Sequence, residues 1–116
     1  MREGFDIVLK TRGGTARVIL SGALDLAAVS DLRAAFARAT EGPAYSAVQV
    51  DLDRVTFIDS TIVGVLAAAR DAAAERALAF TATRAHGLVK RTLVVAGLGG
   101  VLGLRDQSVA QRVLTT

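Results

Sequence analysis

Short β-rich segments alternate with alanine-rich helical segments along most of this sequence of 116 residues. Strands that are separated by single helices pair in parallel through right-handed crossovers, so this order limits the possible folds more than any other feature does. A glycine pair after Thr11-Arg12 predicts a hairpin turn, which makes the first strand pairing antiparallel. The predicted strands are residues 5–10, 16–21, 47–52, 78–83 and, as a weak edge strand, 101–104.

Three helical segments lie between these strands, and a fourth short one follows them. Asp25 is the predicted N-cap of the first helix, in which Val29, Leu32, Phe36 and Ala39 recur at helical spacing. The second helix opens at residues 59–61, and its predicted buried stripe is Ile62, Val65, Leu66, Ala69 and Ala73. The third helix spans residues 87–96 and ends at Gly97, and the last spans 109–114.

The order of these elements predicts an α/β fold. We expect a single domain over residues 1–116, built on a mixed, mostly parallel sheet of about five strands with helices mainly on one face. Residues 53–58 are interpreted as a brief connection between the third strand and the second helix. No internal repeat, linker or second domain is recognisable in the sequence.

Composition excludes several classes of protein. The chain has no cysteine, so it cannot form a disulfide scaffold, a zinc ribbon, an iron–sulfur cluster or a thiol nucleophile. Apolar residues make up 52% of the chain, yet no stretch has the length of a membrane span or signal peptide, so we expect a soluble, cytoplasmic protein. The net charge of +3 comes from scattered arginines with few aromatics, which argues against direct binding of nucleic acid.

Signals for an enzyme or a cofactor are weak. His86 is the only histidine and has no carboxylate beside it in sequence, so we interpret it as a surface or capping residue. Asp51, Asp53 and Asp59 could bind Mg²⁺, but carboxylates at strand ends and helix caps explain them better. The glycine-rich residues 97–103 match neither a P-loop nor a dinucleotide fingerprint. We therefore expect no catalytic residues, no metal and no cofactor.

The most informative segment runs from residue 48 to residue 70. It places the Ser60 hydroxyl at the start of a helix, beside the carboxylate of Asp59 and just after a buried strand. A helix N-terminus has unpaired N–H groups and the positive end of the helix dipole, so it tolerates an added phosphate. From these residues alone, Ser60 is either part of a helix cap or a phosphoacceptor.

Two motifs in the sequence resemble the STAS family, the domain shared by sulfate transporters and anti-sigma factor antagonists. Residues 57–61 (FIDST) are similar to the family's apolar-Asp-Ser-Ser/Thr stretch that opens a helix, and residues 64–66 (GVL) match after it. Residues 20–25 (LSGALD) look like the family's L-x-G-x-L-D strand end, and residues 93–104 are a looser match to its late region. The family has glycine directly after the Ser-Ser/Thr pair, where this chain has Ile62.

The resemblance implies a bacterial anti-sigma factor antagonist that works in a partner switch. Its implied partners are an anti-sigma factor with serine kinase activity and an opposing phosphatase, while its oligomeric state stays open. The implied phosphoacceptor is Ser60, and the implied partner-binding residues are Asp25, Asp59, Thr61 and Ile62. The alternative is a STAS scaffold module that is not phosphorylated, in a stress-signalling assembly or a lipid-transport complex, and Ile62 in place of the glycine favours it.

Overall fold

The fold is built from one β-hairpin and two consecutive β-α-β units. The computed structural model describes residues 4–41 and 45–100. Its strands are β1 (Phe5–Arg12), β2 (Thr15–Leu24), β3 (Ala47–Ile58) and β4 (Ala79–Thr83), and its helices are α1 (Val29–Glu41), α2 (Ser60–Glu75) and α3 (Gly87–Val95), with a short 3-10 turn at Leu26–Ala28. The predicted strand at 101–104 and the predicted helix at 109–114 lie outside the described residues.

The strands form a four-stranded sheet in the order β1-β2-β3-β4. β1 and β2 are antiparallel, whereas β2 pairs in parallel with β3, and β3 with β4. Because both crossovers step in the same direction across the sheet, right-handed connections place α1 and α2 on the same face. The predicted α/β class with a mixed sheet is confirmed. In the described part of the chain, no helix is both long enough and apolar enough to cross a membrane.

The core lies between the sheet and its helices. Along β2 the side chains of Ala16, Val18 and Leu20 are fully buried against the helices, while Arg17 and Ile19 point to the opposite, open face. The stripe predicted for α2 is buried as expected: Ile62, Val65, Leu66, Ala69 and Ala73. α3 contributes Val89 and Leu93 to the same core.

The sequence predicts a connection over residues 53–58, and this prediction is wrong: these residues form the second half of β3. The pairing of β2 with β3 shifts register between Ile19 and Ser21 and again between Gly22 and Ala23, with the extra residue in β3 each time. Each bulge reverses the alternation of inward and outward side chains. Buried Val55 and Ile58 are therefore three residues apart. This spacing lacks the two-residue alternation by which a strand is recognised in a sequence.

Gly22 allows the start of β1 to approach the end of β2 closely. Its backbone is left-handed at φ +85°, and a Cβ atom built there would lie 2.1 Å from the carbonyl oxygen of Gly4. The neighbouring Ala23 N–H donates to the same Gly4 carbonyl oxygen at 2.5 Å. A side chain at position 22 would both strain the backbone and displace this strand.

We predict that Gly22→Ala destabilises the protein by at least about 2 kcal/mol, because it combines a left-handed backbone with a clash against main-chain atoms. The matched control is Gly64→Ala in α2, where a Cβ atom meets nothing within 4 Å. That control should stabilise the fold by up to about 1 kcal/mol, since alanine favours a helix. Urea unfolding of both variants measures this, and equal effects of the two substitutions would contradict the assignment.

Candidate functional site

The junction of β3 and α2 is organised by the carboxylate of Asp59. This residue is the N-cap of α2, and its Oδ1 accepts the Ile62 backbone N–H at 3.1 Å. The Thr61 hydroxyl donates to the same oxygen at 2.5 Å. The Thr61 hydroxyl, with help from the Ile62 N–H, holds the pKa of Asp59 below its usual range because both stabilise the ionised form. Asp59 is therefore a fixed negative charge at the helix start.

Ser60 is the first residue of α2 and is exposed. Its hydroxyl makes no hydrogen bond to any residue in the described ranges 4–41 and 45–100. Asp59 caps the helix and Thr61 donates to the Asp59 carboxylate, so the Ser60 hydroxyl has no capping role and can contact another molecule. The alternative that Ser60 serves as a cap has no hydrogen bond to support it.

Asp25 ends up at the same end of the sheet as Asp59. The parallel register pairs Leu24 with Ile58, and each aspartate directly follows its strand. Asp25 caps the 3-10 turn before α1, with its Oδ1 accepting the Ala27 N–H at 3.0 Å. The sheet thus brings together the two acidic caps that the sequence places 34 residues apart.

A groove, here named the α2–α3 groove, lies beside Ser60. Its volume is about 610 Å³. Leu88 and Val95 of α3 stand on its rim with 72% and 79% of their surfaces exposed. A chain of this size seldom leaves large apolar side chains so exposed in one place without a partner. The lining residues are Phe57, Ile58, Asp59, Ser60 and Val63 on one side, and Leu88, Arg91, Thr92, Val95 and Ala96 on the other.

The predictions from sequence assign α3 no role in binding, yet it forms one wall of this groove. Val89 and Leu93 form the buried stripe of the helix, four residues apart. Leu88 and Val95 lie off that stripe, seven residues apart, so they share a different face. This second apolar pair is the signal that marks α3 as a groove wall.

Ile62, at the position of the family's glycine, is fully buried in the core. Its side chain packs beneath α2 and does not reach the surface beside Ser60, whereas Thr61 is exposed there. Of the residues predicted to bind a partner, Asp25, Asp59 and Thr61 border the junction, and Ile62 supports it from below. The substitution leaves Ser60 accessible.

The open face of the sheet carries an ion-pair cluster around the buried carboxylate of Asp51. Its oxygens accept from Arg84, with Nε at 3.3 Å, and from Nη2 of Arg17 at 3.4 Å. Burial raises the pKa of Asp51, but the hydrogen bonds from Arg84 and the Asp53 backbone, with the charges of both arginines, lower it overall. Nε2 of His86 donates to the Asp53 carbonyl at 2.7 Å. These contacts fix the turn between β4 and α3.

Two of the three carboxylates that could bind Mg²⁺ have other roles. Asp51 is held by two arginines, and Asp59 caps a helix. Among the described residues, no group of three or more possible ligands is arranged to hold a metal ion. His86 occupies the N-cap position of α3, at the surface as its sequence context suggests.

Comparison with known proteins identifies the class. A family model described as Mlab, STAS domain matches residues 7–106. The chain therefore belongs to the STAS domain family. Among curated proteins, none matches its sequence significantly.

Solved structures of anti-sigma factor antagonists share this fold. The unphosphorylated form of SpoIIAA superposes with a TM-score of 0.76 at 23% identity, covering 96% of this chain and 98% of that chain. The phosphorylated form of the Bacillus cell fate determinant SpoIIAA gives 0.70 at 21% identity, covering 94% and 99%. An anti-sigma factor antagonist from Mycobacterium paratuberculosis gives 0.74 at 20% identity, covering 97% and 95%. At such identities the likeness establishes the fold.

We predict that acid destabilises the protein in part through Asp59. Its lowered pKa in the folded state stabilises the fold above the unfolded-state value, and this contribution is lost as the pH falls through the folded pKa. Asp59→Asn keeps a capping oxygen but cannot ionise. Urea unfolding between about pH 6 and about pH 2 should show a shallower loss of stability in the variant than in the wild type. Identical pH profiles would contradict this.

Proposed function

We propose that this protein is an anti-sigma factor antagonist that works by partner switching. The observation that carries the proposal is the exposed Ser60 at the start of α2, on the rim of the apolar α2–α3 groove and without a hydrogen bond to the described residues. Membership of the STAS family and the shared fold with SpoIIAA support it. The protein acts as a binding partner in the cytoplasm and has no catalytic role.

The unmodified protein binds an anti-sigma factor through the groove and the acidic junction. Leu88 and Val95 supply the apolar contact area, and apolar burial drives association. Asp25, Asp59 and Thr61 border this area with charge and hydrogen-bonding groups, which fix the orientation of the partner. Binding occupies the anti-sigma factor and so releases a sigma factor.

Phosphorylation of Ser60 ends the interaction. A phosphate adds about −1.5 to −2 charge next to the fixed carboxylate of Asp59. The N-terminus of α2 tolerates this charge, so the fold survives, but the partner would have to desolvate a second negative group beside Asp59. Arg91 lines the same groove and is the basic side chain available to the phosphate. A phosphate drawn toward Arg91 would cover part of the apolar surface.

The kinase activity belongs to the anti-sigma factor, which supplies ATP and Mg²⁺. An opposing phosphatase returns Ser60 to its unmodified state. Because Ser60 is at the first helical position, its side chain can enter a kinase site without local unfolding. The switch thus needs no conformational change inside this domain.

We predict that incubation with host lysate and Mg-ATP phosphorylates Ser60, and that Ser60→Ala carries no phosphate there. Peptide mass spectrometry locates the modified residue. Ser60→Asp should fold as the wild type does and weaken binding to the host's purified anti-sigma factor by at least about tenfold, since the partner would have to desolvate a second negative group beside Asp59. Calorimetric titration measures this.

Ser30→Asp is the matched control, because Ser30 is also an exposed serine in the first turn of a helix, α1. It should bind the anti-sigma factor as well as the wild type does. Full binding by Ser60→Asp, or equal loss with Ser30→Asp, would refute the switch at Ser60.

A second prediction tests the groove itself with two neighbouring valines. Val95 lines the α2–α3 groove, whereas Val94, 39% exposed on the same helix, does not. Val95→Ala and Leu88→Ala should each weaken anti-sigma factor binding by about tenfold through lost apolar contact. Val94→Ala should leave the dissociation constant unchanged. The same loss in all three variants would argue against docking in the groove.

A second candidate function is a STAS scaffold module that is never phosphorylated, within a stress-signalling assembly or a lipid-transport complex. One observation favours it: the groove is lined mainly by apolar groups. A permanent interface depends on apolar area rather than on a switchable charge. Under this function, lysate that modifies a known antagonist would leave Ser60 unmodified, and the partner would co-purify stably with Ser60→Ala.

A further inference from the structure

β1 forms one edge of the described sheet and is eight residues long. Because two glycines form the turn, Arg12 and Thr15 are a hydrogen-bonded pair. Hydrogen-bonded and non-hydrogen-bonded pairs then alternate along the antiparallel ladder. At the other end of the hairpin, the hydrogen bond from the Ala23 N–H to the Gly4 carbonyl oxygen fits the same alternation. The backbone N–H and C=O groups of Ile7 and Leu9 therefore point away from β2.

The open face of β1 carries opposite charges on either side of an apolar residue. Asp6, Val8 and Lys10 alternate along the strand and are all exposed. Within residues 4–41 and 45–100, no ion pair involves Asp6 or Lys10. Lys10 stands directly opposite Arg17 of β2, a like charge, and Arg17 is already bonded to Asp51. Asp6 and Lys10 thus lack a counterion in the described part of the chain.

A second copy of β1 supplies these missing partners when it pairs antiparallel about Val8. In that register Asp6 faces Lys10 of the second copy, and Lys10 faces its Asp6. Val8 meets Val8 of the second copy at the centre, in a non-hydrogen-bonded pair with close side chains. The outward backbone groups of Ile7 bond those of Leu9 in the second copy. A parallel pairing in register would instead place like charges together.

The helix beside this edge has a compatible surface. A recess of about 220 Å³ separates β1 from α1 and is lined by Ile7, Leu9, Ala34, Ala35 and Arg38, among others. The two-fold axis of the antiparallel pairing is perpendicular to the sheet, so α1 of each copy lies on the same side and runs antiparallel to the other. Alanines at the middle of α1 leave room for close approach of the two helices. In such a pair, the second copy would bury more of the half-buried side chains of Ile7 and Leu9.

We propose that the β1 edge is a homodimer interface, at which two copies join their sheets into a continuous eight-stranded sheet. Lysine on an edge strand ordinarily discourages pairing with another chain. Here Asp6, four residues before Lys10, makes the edge self-complementary in a single antiparallel register. The surface is distinct from the α2–α3 groove and does not depend on the function proposed for Ser60.

Sedimentation equilibrium of the full chain tests the dimer and its register. The wild type should sediment as a dimer, while Asp6→Lys and Lys10→Asp should each raise the dissociation constant by at least about tenfold, since two attractive pairs become repulsive. The decisive experiment mixes these two variants. In the mixed dimer both charge pairs are again opposite in sign, so the equimolar mixture should form dimers that neither variant forms alone.

Glu75→Lys is the control, because it makes the same charge change at an exposed site on the last residue of α2. It should dimerise as the wild type does, and circular dichroism should show all three variants folded. A wild type that is monomeric at every concentration overturns the proposal. A dimer that is insensitive to Asp6→Lys and Lys10→Asp, or no recovery on mixing, overturns it as well.

Discussion

The parallel pairing of β2 with β3 is the constraint on which the candidate site depends. It ends with Leu24 beside Ile58, so the residues that follow both strands emerge at one end of the sheet. Asp25 and Asp59 then cap successive helical segments at that end, and Ser60 is the first residue past the cap. The two bulges in β3 are essential to this arrangement, because they let a 12-residue strand finish level with a 10-residue one.

Contacts on the open face of the sheet fix the start of α3, which forms one wall of the α2–α3 groove. Arg84 has a left-handed backbone at φ +60°, which is strained for a side chain of its size. Its ion pair with buried Asp51 offsets this strain and holds the chain in the conformation that leads into α3. His86, bonded to the Asp53 carbonyl, adds a second tie at the helix start. Charges outside the site thus determine where Leu88 and Val95 stand.

Much of this fold is predictable from local pattern, because amphipathic helices and alternating strands encode their own burial. The stripe of α2 from Ile62 to Ala73 and the caps at Asp25 and Asp59 are examples. The second half of β3 is not predictable in this way, since bulges remove the alternation that identifies a strand. The groove is not predictable for a different reason: it depends on how α3 packs against β3 beside the start of α2, and residues distant in sequence determine that packing. The burial of Ile62 is predicted by the apolar stripe of α2, whereas its position in the family motif implies a partner-binding residue at the surface.

The two candidate interaction surfaces occupy different sides of the molecule. β1 lies at one edge of the described sheet, with β2 between it and β3, whereas Ser60 and the α2–α3 groove lie beyond the end of β3. Pairing through β1 therefore leaves both grooves of a dimer open. Under the proposed function, each copy binds its own anti-sigma factor, and phosphorylation of one Ser60 releases one partner only. Ser60 is the first residue of α2, whereas the edge charges Asp6 and Lys10 lie on β1, which β2 separates from β3, so phosphorylation adds its charge at the groove and not at the dimer interface.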